Sequence, residues 1–130
     1  MSEKLIYEEE SYLIRGAVYE VYRRIGCGFL ESVYQYCLAR EFLYRKIPFQ
    51  SQKKLCLYYR DELIEPFFTA DFVCFDKIIV EIKAISDIAP IHEAQVMNYL
   101  KMTEMQLGLL VNFGHHPKAT VKRIVNTVLK

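Results

Sequence analysis

The sequence lacks long hydrophobic runs, paired cysteines and a targeting segment, and each absence excludes a class of protein. No apolar run approaches the ~20 residues that a membrane-spanning helix requires, so we expect no membrane span and no membrane partner. The acidic N-terminus, MSEKLIYEEES, has no apolar signal core, which predicts a cytoplasmic location. The four cysteines form neither a CxxC pair nor a set with zinc-ligand spacing, which predicts reduced and mostly buried thiols.

The chain also carries almost no excess charge. Its formal net charge of +1 provides no global attraction to polyanions, so a nucleic-acid site has to be a local patch. A composition that is 52% hydrophobic and 25% charged is typical of a soluble globular chain. No repeat, linker or low-complexity segment divides the 130 residues, so we predict one domain over residues 1–130.

Hydrophobic periodicity, together with glycine and proline positions, predicts the order of the elements. The predicted helices run from Glu8 to Arg24, Leu30 to Lys46, Pro90 to Met102 and Thr120 to Leu129. The predicted strands are Phe49 to Tyr59, the two strands of a hairpin within Thr69 to Ala84, and Gln106 to Phe113. This order, α-α-β-β-β-α-β-α, predicts an α+β fold with a mixed central sheet of about four strands flanked by helices.

The hairpin, TADFVCFDKIIVEIKA, turns near Asp76 and organises the candidate site. If it is symmetric about Asp76, Val73 faces Ile79 and Asp71 faces Glu81. Side chains alternate between the two faces of a strand, so the acids share one face. That face carries Asp71, Val73, Ile79, Glu81 and Lys83, and the opposite, entirely apolar face is predicted to be core.

Two carboxylates that face each other across a hairpin lie ~5 Å apart at Cβ and repel, so they require compensation. The candidates are a divalent cation between Asp71 and Glu81 and the ammonium of Lys83. Carboxylate oxygens suit Mg²⁺ or Mn²⁺, and Lys83, on the same face, could deprotonate or orient a metal-bound water. The alternative is a solvated face with three unrelated charges, because D…ExK patterns often arise by chance.

Two helices offer further candidates. His92, Gln95 and Tyr99 are spaced i, i+3, i+7 and share one face, which could contact a substrate phosphate or orient metal ligands. The alternative is an ordinary exposed helix face with Tyr99 half-buried. Glu31 lies in the first turn of its helix, where an acid favours the dipole, and it can reach a metal only if that helix end approaches the sheet face.

Several exposed groups carry weaker signals. His115 and His116 could form a metal pair, although adjacent histidines in a Gly/Pro loop are more often solvated. Two basic patches could contact phosphates or could simply be solvated. They are Lys53 with Lys54 on the first strand, and Lys118, Lys122 and Arg123 on the last predicted helix.

The segment GFLESVY, with Gly28, Glu31 and Tyr34, resembles the signature of the GxxExxY protein family. The segment AVYEVYRRIG precedes it, and FTADFVC, IIVEIKA, HEAQVMNYL and LLVNFG follow it in the family's order. The resemblance covers about residues 8 to 126. This family is placed in the PD-(D/E)xK nuclease superfamily, and the resemblance therefore implies a restriction-endonuclease-like core.

The resemblance also implies roles for individual residues. Asp71 and Glu81 would be metal ligands and Lys83 the catalytic lysine, while Gln95 and Tyr99 match the QxxxY motif of RecB-like branches. Glu31 would match the acid that those branches carry on an early helix. Apart from the resemblance, the nuclease hypothesis adds the backbone carbonyl of Ile82 as a metal ligand. The helix spacing adds His92 to the substrate-orienting residues.

The resulting expectation is a Mg²⁺- or Mn²⁺-dependent hydrolase that cleaves DNA, with RNA as the less favoured substrate. The competing hypothesis is a nuclease-like module that binds nucleic acid or a protein partner without cutting. Small size and near-neutral charge favour this second reading. Ten tyrosines and eight phenylalanines leave material for an apolar interface, so a homodimer is a further expectation.

Overall fold

The computed structural model describes residues 5–65 and 68–127, and an α+β fold is formed within them. The helices are α1 (Glu8–Ile25), α2 (Glu31–Tyr44) and α3 (Pro90–Thr103). The strands are β1 (Phe49–Leu55), β2 (Tyr58–Tyr59), β3 (Glu62–Leu63), β4 (Phe68–Cys74), β5 (Ile78–Lys83), β6 (Leu107–Asn112) and β7 (Thr120–Val125).

A five-stranded mixed sheet in the order β1-β4-β5-β6-β7 forms the centre of the fold. β5 and β6 are parallel and are joined through α3, whereas the other neighbours are antiparallel. A parallel pair needs a crossover connection, and α3 provides it. The mixed sheet flanked by helices confirms the predicted fold class, with one strand more than expected.

The helices cover opposite faces of this sheet. Phe72, Val80 and Ile82 pack in a buried cluster with residues of α1 and α2. Val73 and Ile79, which alternate with them, pack against Val96 and Leu100 of α3. This division confirms the predicted two faces of the hairpin, and it places the acidic face on the side of α3.

The segment from Thr120 was predicted to be a helix, and this prediction was wrong. Residues Thr120–Val125 form β7, which pairs antiparallel with β6 from Thr120↔Asn112 to Val125↔Leu107. The spacing of Val121, Ile124 and Val125 fits a helix period. However, β-branched residues favour strands, and β6 offers a free edge there. The predicted end at Leu129 lies outside the described residues.

The strand predicted from Phe49 to Tyr59 is also interrupted. β1 ends at Leu55, and Tyr58–Tyr59 pairs instead with Glu62–Leu63 in a separate two-stranded hairpin. Arg60 and Asp61 form the turn of that hairpin, both with positive φ, as the preferred two-residue hairpin turn demands.

The junction between α1 and α2 is built around Tyr34. Its hydroxyl donates to the Gly26 carbonyl at 2.6 Å and accepts the Phe29 N–H at 3.4 Å. Its ring is fully buried and stacks on Phe113, with centroids 4.5 Å apart. Gly28 has φ 108°, a conformation that favours glycine. Together these contacts fix the point at which α2 begins.

Among the described residues no helix is both long and apolar enough to cross a membrane. The cysteines are all free, but the prediction that most are buried was wrong. Cys74 is buried and Cys37 is half-buried, whereas Cys27 and Cys56 are exposed. Both exposed thiols lie in connecting segments, where periodicity does not predict burial.

These environments predict the order of thiol reactivity. Burial raises the pKa of the Cys74 thiol to about 12, so we expect Cys74 to stay unreactive toward a thiol reagent at pH 8 in the native protein. Cys27 and Cys56 should react first, and Cys74 only after denaturation. Mass spectrometry of partially labelled protein measures this order. Early labelling of Cys74 would contradict it.

Candidate active site on the β4–β5 hairpin

The hairpin adopts the predicted register. Val73 pairs with Ile79 and Phe72 with Val80, so Asp71 and Glu81 are the next residues along the two strands. The turn contains Phe75 and Asp76, both with positive φ. The register predicted from a turn at Asp76 is therefore confirmed.

The two acids are tied to the backbone of the facing strands. The Asp71 N–H donates to Glu81 Oε1 at 3.2 Å, and the Ile82 N–H donates to Asp71 Oδ2 at 2.8 Å. Each carboxylate thus accepts an amide hydrogen bond from the opposite strand, and at Glu81 this bond acts to lower the pKa of the carboxyl. These bonds fix both side chains in place, and they are a compensation that sequence reasoning did not foresee.

Burial nevertheless makes the paired charges costly. The residue Glu81 is only 9% exposed, and burial together with the negative charge of Asp71 raises the pKa of its carboxyl to about 9. The positive charge of Lys83 opposes this rise. Burial and the neighbouring acid both disfavour the ionised form of Glu81. A bound cation would stabilise that ionised form.

The donor set fits a hard divalent cation. Asp71 and Glu81 present carboxylate oxygens, the ligands that Mg²⁺ and Mn²⁺ prefer, and such ions commonly bind through one or two carboxylates and keep several waters. Within residues 5–65 and 68–127, no three Asp, Glu, His or Cys side chains converge to hold a metal ion. A cation at this pair would therefore have two carboxylates from the described residues, and its remaining positions would be open to water, backbone or substrate oxygens.

Glu31 approaches this pair from α2. It is the first residue of that helix, and burial and the charge of Asp71 raise the pKa of its carboxyl, whereas the charge of Lys83 lowers it. The start of α2 is therefore close enough to the hairpin for the charges of Glu31, Asp71 and Lys83 to interact. Glu31 is electrostatically coupled to Asp71 and Lys83 without completing a set of three ligands.

Three residues of α3 were predicted to line the site, and they differ in position. Tyr99 is half-buried, and its ring stacks on Phe68 with centroids 3.3 Å apart. Burial raises the pKa of its hydroxyl, the charge of Glu81 adds to the rise, and a hydrogen bond with exposed Gln95 opposes it. Tyr99 and Gln95 therefore form a pair beside Glu81.

His92 has a role in its own helix. Its ring Nδ1 accepts the Ala89 backbone N–H at 2.9 Å, and the His92 backbone N–H donates to the Ala89 carbonyl at 2.9 Å. This reciprocal pair caps the start of α3. An acceptor Nδ1 leaves the proton of the neutral ring on Nε2. Sequence spacing placed His92 with Gln95 and Tyr99, but its ring is held by the helix end.

The strand end that carries Lys83 is braced by β6. The Phe113 N–H donates to the Lys83 carbonyl at 2.8 Å, and Asn112 Oδ1 accepts N–H groups from Ile85 at 3.1 Å and Gly114 at 2.9 Å. A Cβ on Gly114 would overlap the Ile85 backbone, so only glycine fits there. The segment LLVNFG thus fixes the chain directly after Lys83.

Sequence reasoning missed Gln35, which contacts the site from α2. Its Nε2 donates to the Asp71 carbonyl at 3.2 Å and to Ser51 Oγ at 3.0 Å. The sequence contains one signal for it, because Gln35 is four residues after Glu31 and so shares its helix face.

The other predicted surface groups lie elsewhere or have structural partners. His116 Nδ1 is 3.9 Å from Cys27 Sγ, and the His115 carbonyl accepts the Tyr22 hydroxyl. Arg123 donates to Ser11 Oγ and to the Ile6 carbonyl, and Lys122 pairs with Glu93. The predicted basic helix face at Lys118, Lys122 and Arg123 was therefore wrong, because the segment is a strand and Arg123 ties it to α1.

Comparison with known proteins identifies the class that this fold and hairpin define. The sequence model of the PD-(D/E)XK nuclease superfamily matches residues 8–124, so the chain belongs to that superfamily. The crystal structure of SSO0001 is similar over 95% of this chain and 70% of that chain, at 13% identity and a TM-score of 0.47. No curated protein matches the sequence. The chain is thus a nuclease-like module of a superfamily that generally uses divalent metals.

Burial of Glu81 beside Asp71 predicts a trade between stability and metal binding. Glu81→Gln keeps an oxygen for the Asp71 N–H and removes a carboxyl that must take up a proton when the protein folds at pH 8. In chelator at pH 8 we expect the variant to be more stable by about 0.5–2 kcal/mol, measured by urea unfolding. With Mn²⁺, wild type should gain stability and the variant should gain little.

The same pair fixes the sign of the pH dependence. The folded-state pKa of Glu81, about 9, lies above the ordinary value of 4.5, so the folded protein binds more protons between these values. Stability of the metal-free wild type should fall as pH rises through this range. Glu81→Gln should flatten that fall, and an unchanged slope would contradict the prediction.

Proposed function

We propose that the protein is a Mg²⁺- or Mn²⁺-dependent nuclease that hydrolyses phosphodiester bonds of DNA. The observation that carries this proposal is the Asp71–Glu81 pair, which is held by backbone amides, with Glu81 buried, Asp71 half-buried and the charge of Lys83 acting on Glu81. A buried acid facing a second acid costs stability, and catalysis through a divalent cation would explain why the cost is retained.

In this proposal Asp71, Glu81 and the Ile82 carbonyl would hold the cation, which would supply Lewis-acid activation of the phosphate and of water. Lys83 orients the attacking water and stabilises charge that develops on the phosphate. Glu31 adds negative charge at the edge of the site and would assist the hydration shell of the cation. Gln95 and Tyr99 orient substrate from α3, and His92 caps the start of that helix.

We further propose membership of the GxxExxY family, because each residue of that motif has a physical role here. Gly28 adopts the positive φ that the turn requires, and Tyr34 closes the same turn through the Gly26 carbonyl. Glu31 then begins α2 beside Asp71 and Lys83. The motif thus delivers an acid to the hairpin from a separate helix.

A cleft beside the hairpin supports nucleic acid as the partner. It has a volume of about 720 Å³ and lies between β1, the β2–β3 hairpin and the end of α3. The charged and aromatic side chains that line it are Lys53, Lys54, Lys101, Tyr58, Asp61 and Glu104. Lys54, which lines this cleft, pairs with Thr69, two residues before Asp71 on β4. Lysines there can contact phosphates, and Tyr58 offers a stacking surface.

The decisive experiment replaces Lys83 with alanine. We expect Mg²⁺-dependent cleavage of a DNA panel to fall at least about 100-fold, because an oriented proton-transfer or charge-stabilising group contributes roughly that much. Circular dichroism and urea unfolding confirm that the variant is folded, and Lys77→Ala, at the opposite end of the same hairpin, is the matched control.

The two hypotheses separate in the same assay. Metal-dependent cleavage that survives in Lys83→Ala would refute the proposed mechanism. Absence of cleavage by wild type, with equally tight DNA binding in chelator and in Mg²⁺, would favour the non-cutting module, which the two-acid donor set also permits.

The cleft predicts a separate effect on binding. Lys53→Ala combined with Lys101→Ala should weaken DNA binding in Ca²⁺ and reduce the slope of log K against log salt by about 1–2, since each phosphate contact releases counterions. Fluorescence anisotropy measures both. Lys118→Ala, outside the cleft, is the control, and an equal effect of this control would contradict the assignment.

A further inference from the structure

The pairing of β1 with β4 is interrupted at Asp71. Pairs run from Phe49↔Cys74 to Ser51↔Phe72 and resume at Lys53↔Ala70, so the register has a gap where Gln52 and Asp71 would pair. Gln52 has φ 52°, a left-handed conformation that is costly for a residue with a side chain. The interruption therefore has a local cost, and it falls at the residue on which the proposed site depends.

Asp71 makes its hydrogen bonds to β5 and α2. Its N–H and its carboxylate are bound to Glu81 and to the Ile82 amide of β5, as described above. Its carbonyl accepts the Gln35 side chain of α2 at 3.2 Å. The same Gln35 amide donates to Ser51 Oγ at 3.0 Å. Gln35 thus spans the interruption and joins the strands on either side of it.

The helix that carries Gln35 is fixed at its start. Tyr34 directly precedes it, is fully buried and is bonded to the Gly26 carbonyl at 2.6 Å. Gln35 itself is half-buried, so its amide is positioned by packing as well as by its two acceptors. A donor held in this way can keep the backbone of Asp71 turned toward β5 and out of regular pairing with β1.

We infer that Gln35 is a positioning residue that holds Asp71 in its metal-binding geometry by occupying the Asp71 carbonyl. The hydrogen bonds alone support the placement of Asp71 by Gln35. The effect on metal binding rests on the proposed function. Supporting groups that orient metal ligands typically contribute about 10–100-fold in metal affinity.

The test uses two variants of the full chain. Gln35→Met keeps the length and approximate volume of the side chain and removes both donated hydrogen bonds. Ser51→Ala removes only the bond to β1 and leaves the bond to the Asp71 carbonyl. Urea unfolding measures the global stability of each variant, so that local changes at Asp71 can be distinguished from general destabilisation.

Two readouts are needed. The first is hydrogen exchange of the Ile82 amide in metal-free protein, since that amide donates to Asp71 Oδ2; Val80 in the same strand is the reference. The second is Mn²⁺ affinity by calorimetry. For Gln35→Met we expect Ile82 exchange to accelerate roughly 10-fold relative to Val80 and Mn²⁺ affinity to fall roughly 10-fold. For Ser51→Ala both should change by less than about 2-fold.

Failure of this inference can be distinguished from failure of the proposed function. Unchanged Ile82 exchange in Gln35→Met would overturn the inference, as would accelerated exchange with unchanged Mn²⁺ affinity. Equal effects of Ser51→Ala would also overturn it, because Gln35 would then only tie α2 to β1. If wild type binds no Mn²⁺, the proposed function fails and the positioning of a metal ligand fails with it, whereas the exchange result still decides whether Gln35 holds Asp71.

Discussion

The candidate site depends on holding the carboxylates of Asp71 and Glu81 close together although they repel each other. Asp71 and Glu81 face each other across a hairpin in which most of the other strand residues are buried. In water such a pair separates or takes up a proton. Here the amides of Asp71 and Ile82 bind one carboxylate each across the strands, which keeps the acids in position. The cost of this arrangement is visible in the raised pKa of Glu81.

The surrounding elements each support that pair from a different direction. β6 braces the chain after Lys83 through Asn112, α2 brings Glu31 and Gln35 from one side, and α3 brings Tyr99 from the other. The hydrophobic clusters on the two sheet faces provide the rigidity on which this placement depends. The proposed function and stability therefore oppose each other at Glu81, where burial raises the pKa of the carboxyl.

The hairpin could be predicted from the sequence because its determinants are local. A turn at Asp76 and strict alternation fix which residue faces which, so the Asp71–Glu81 apposition and the apolar face were confirmed. Thr120–Val125 could not be assigned from periodicity, since its apolar spacing fits a helix and only the free edge of β6 selects a strand. Gln35 was missed for a related reason: nothing in a helix pattern reveals that an amide will meet a carbonyl of Asp71.

The edge strand β1 has a consequence for how the molecule behaves in concentrated solution. Its central residues are exposed on both faces, it bears Lys53 and Lys54, and the left-handed backbone at Gln52 bends it midway. A regular, apolar edge invites another chain to add a strand, whereas charge and irregularity discourage that pairing. The same irregularity that frees Asp71 from β1 therefore also protects the sheet from edge-to-edge aggregation.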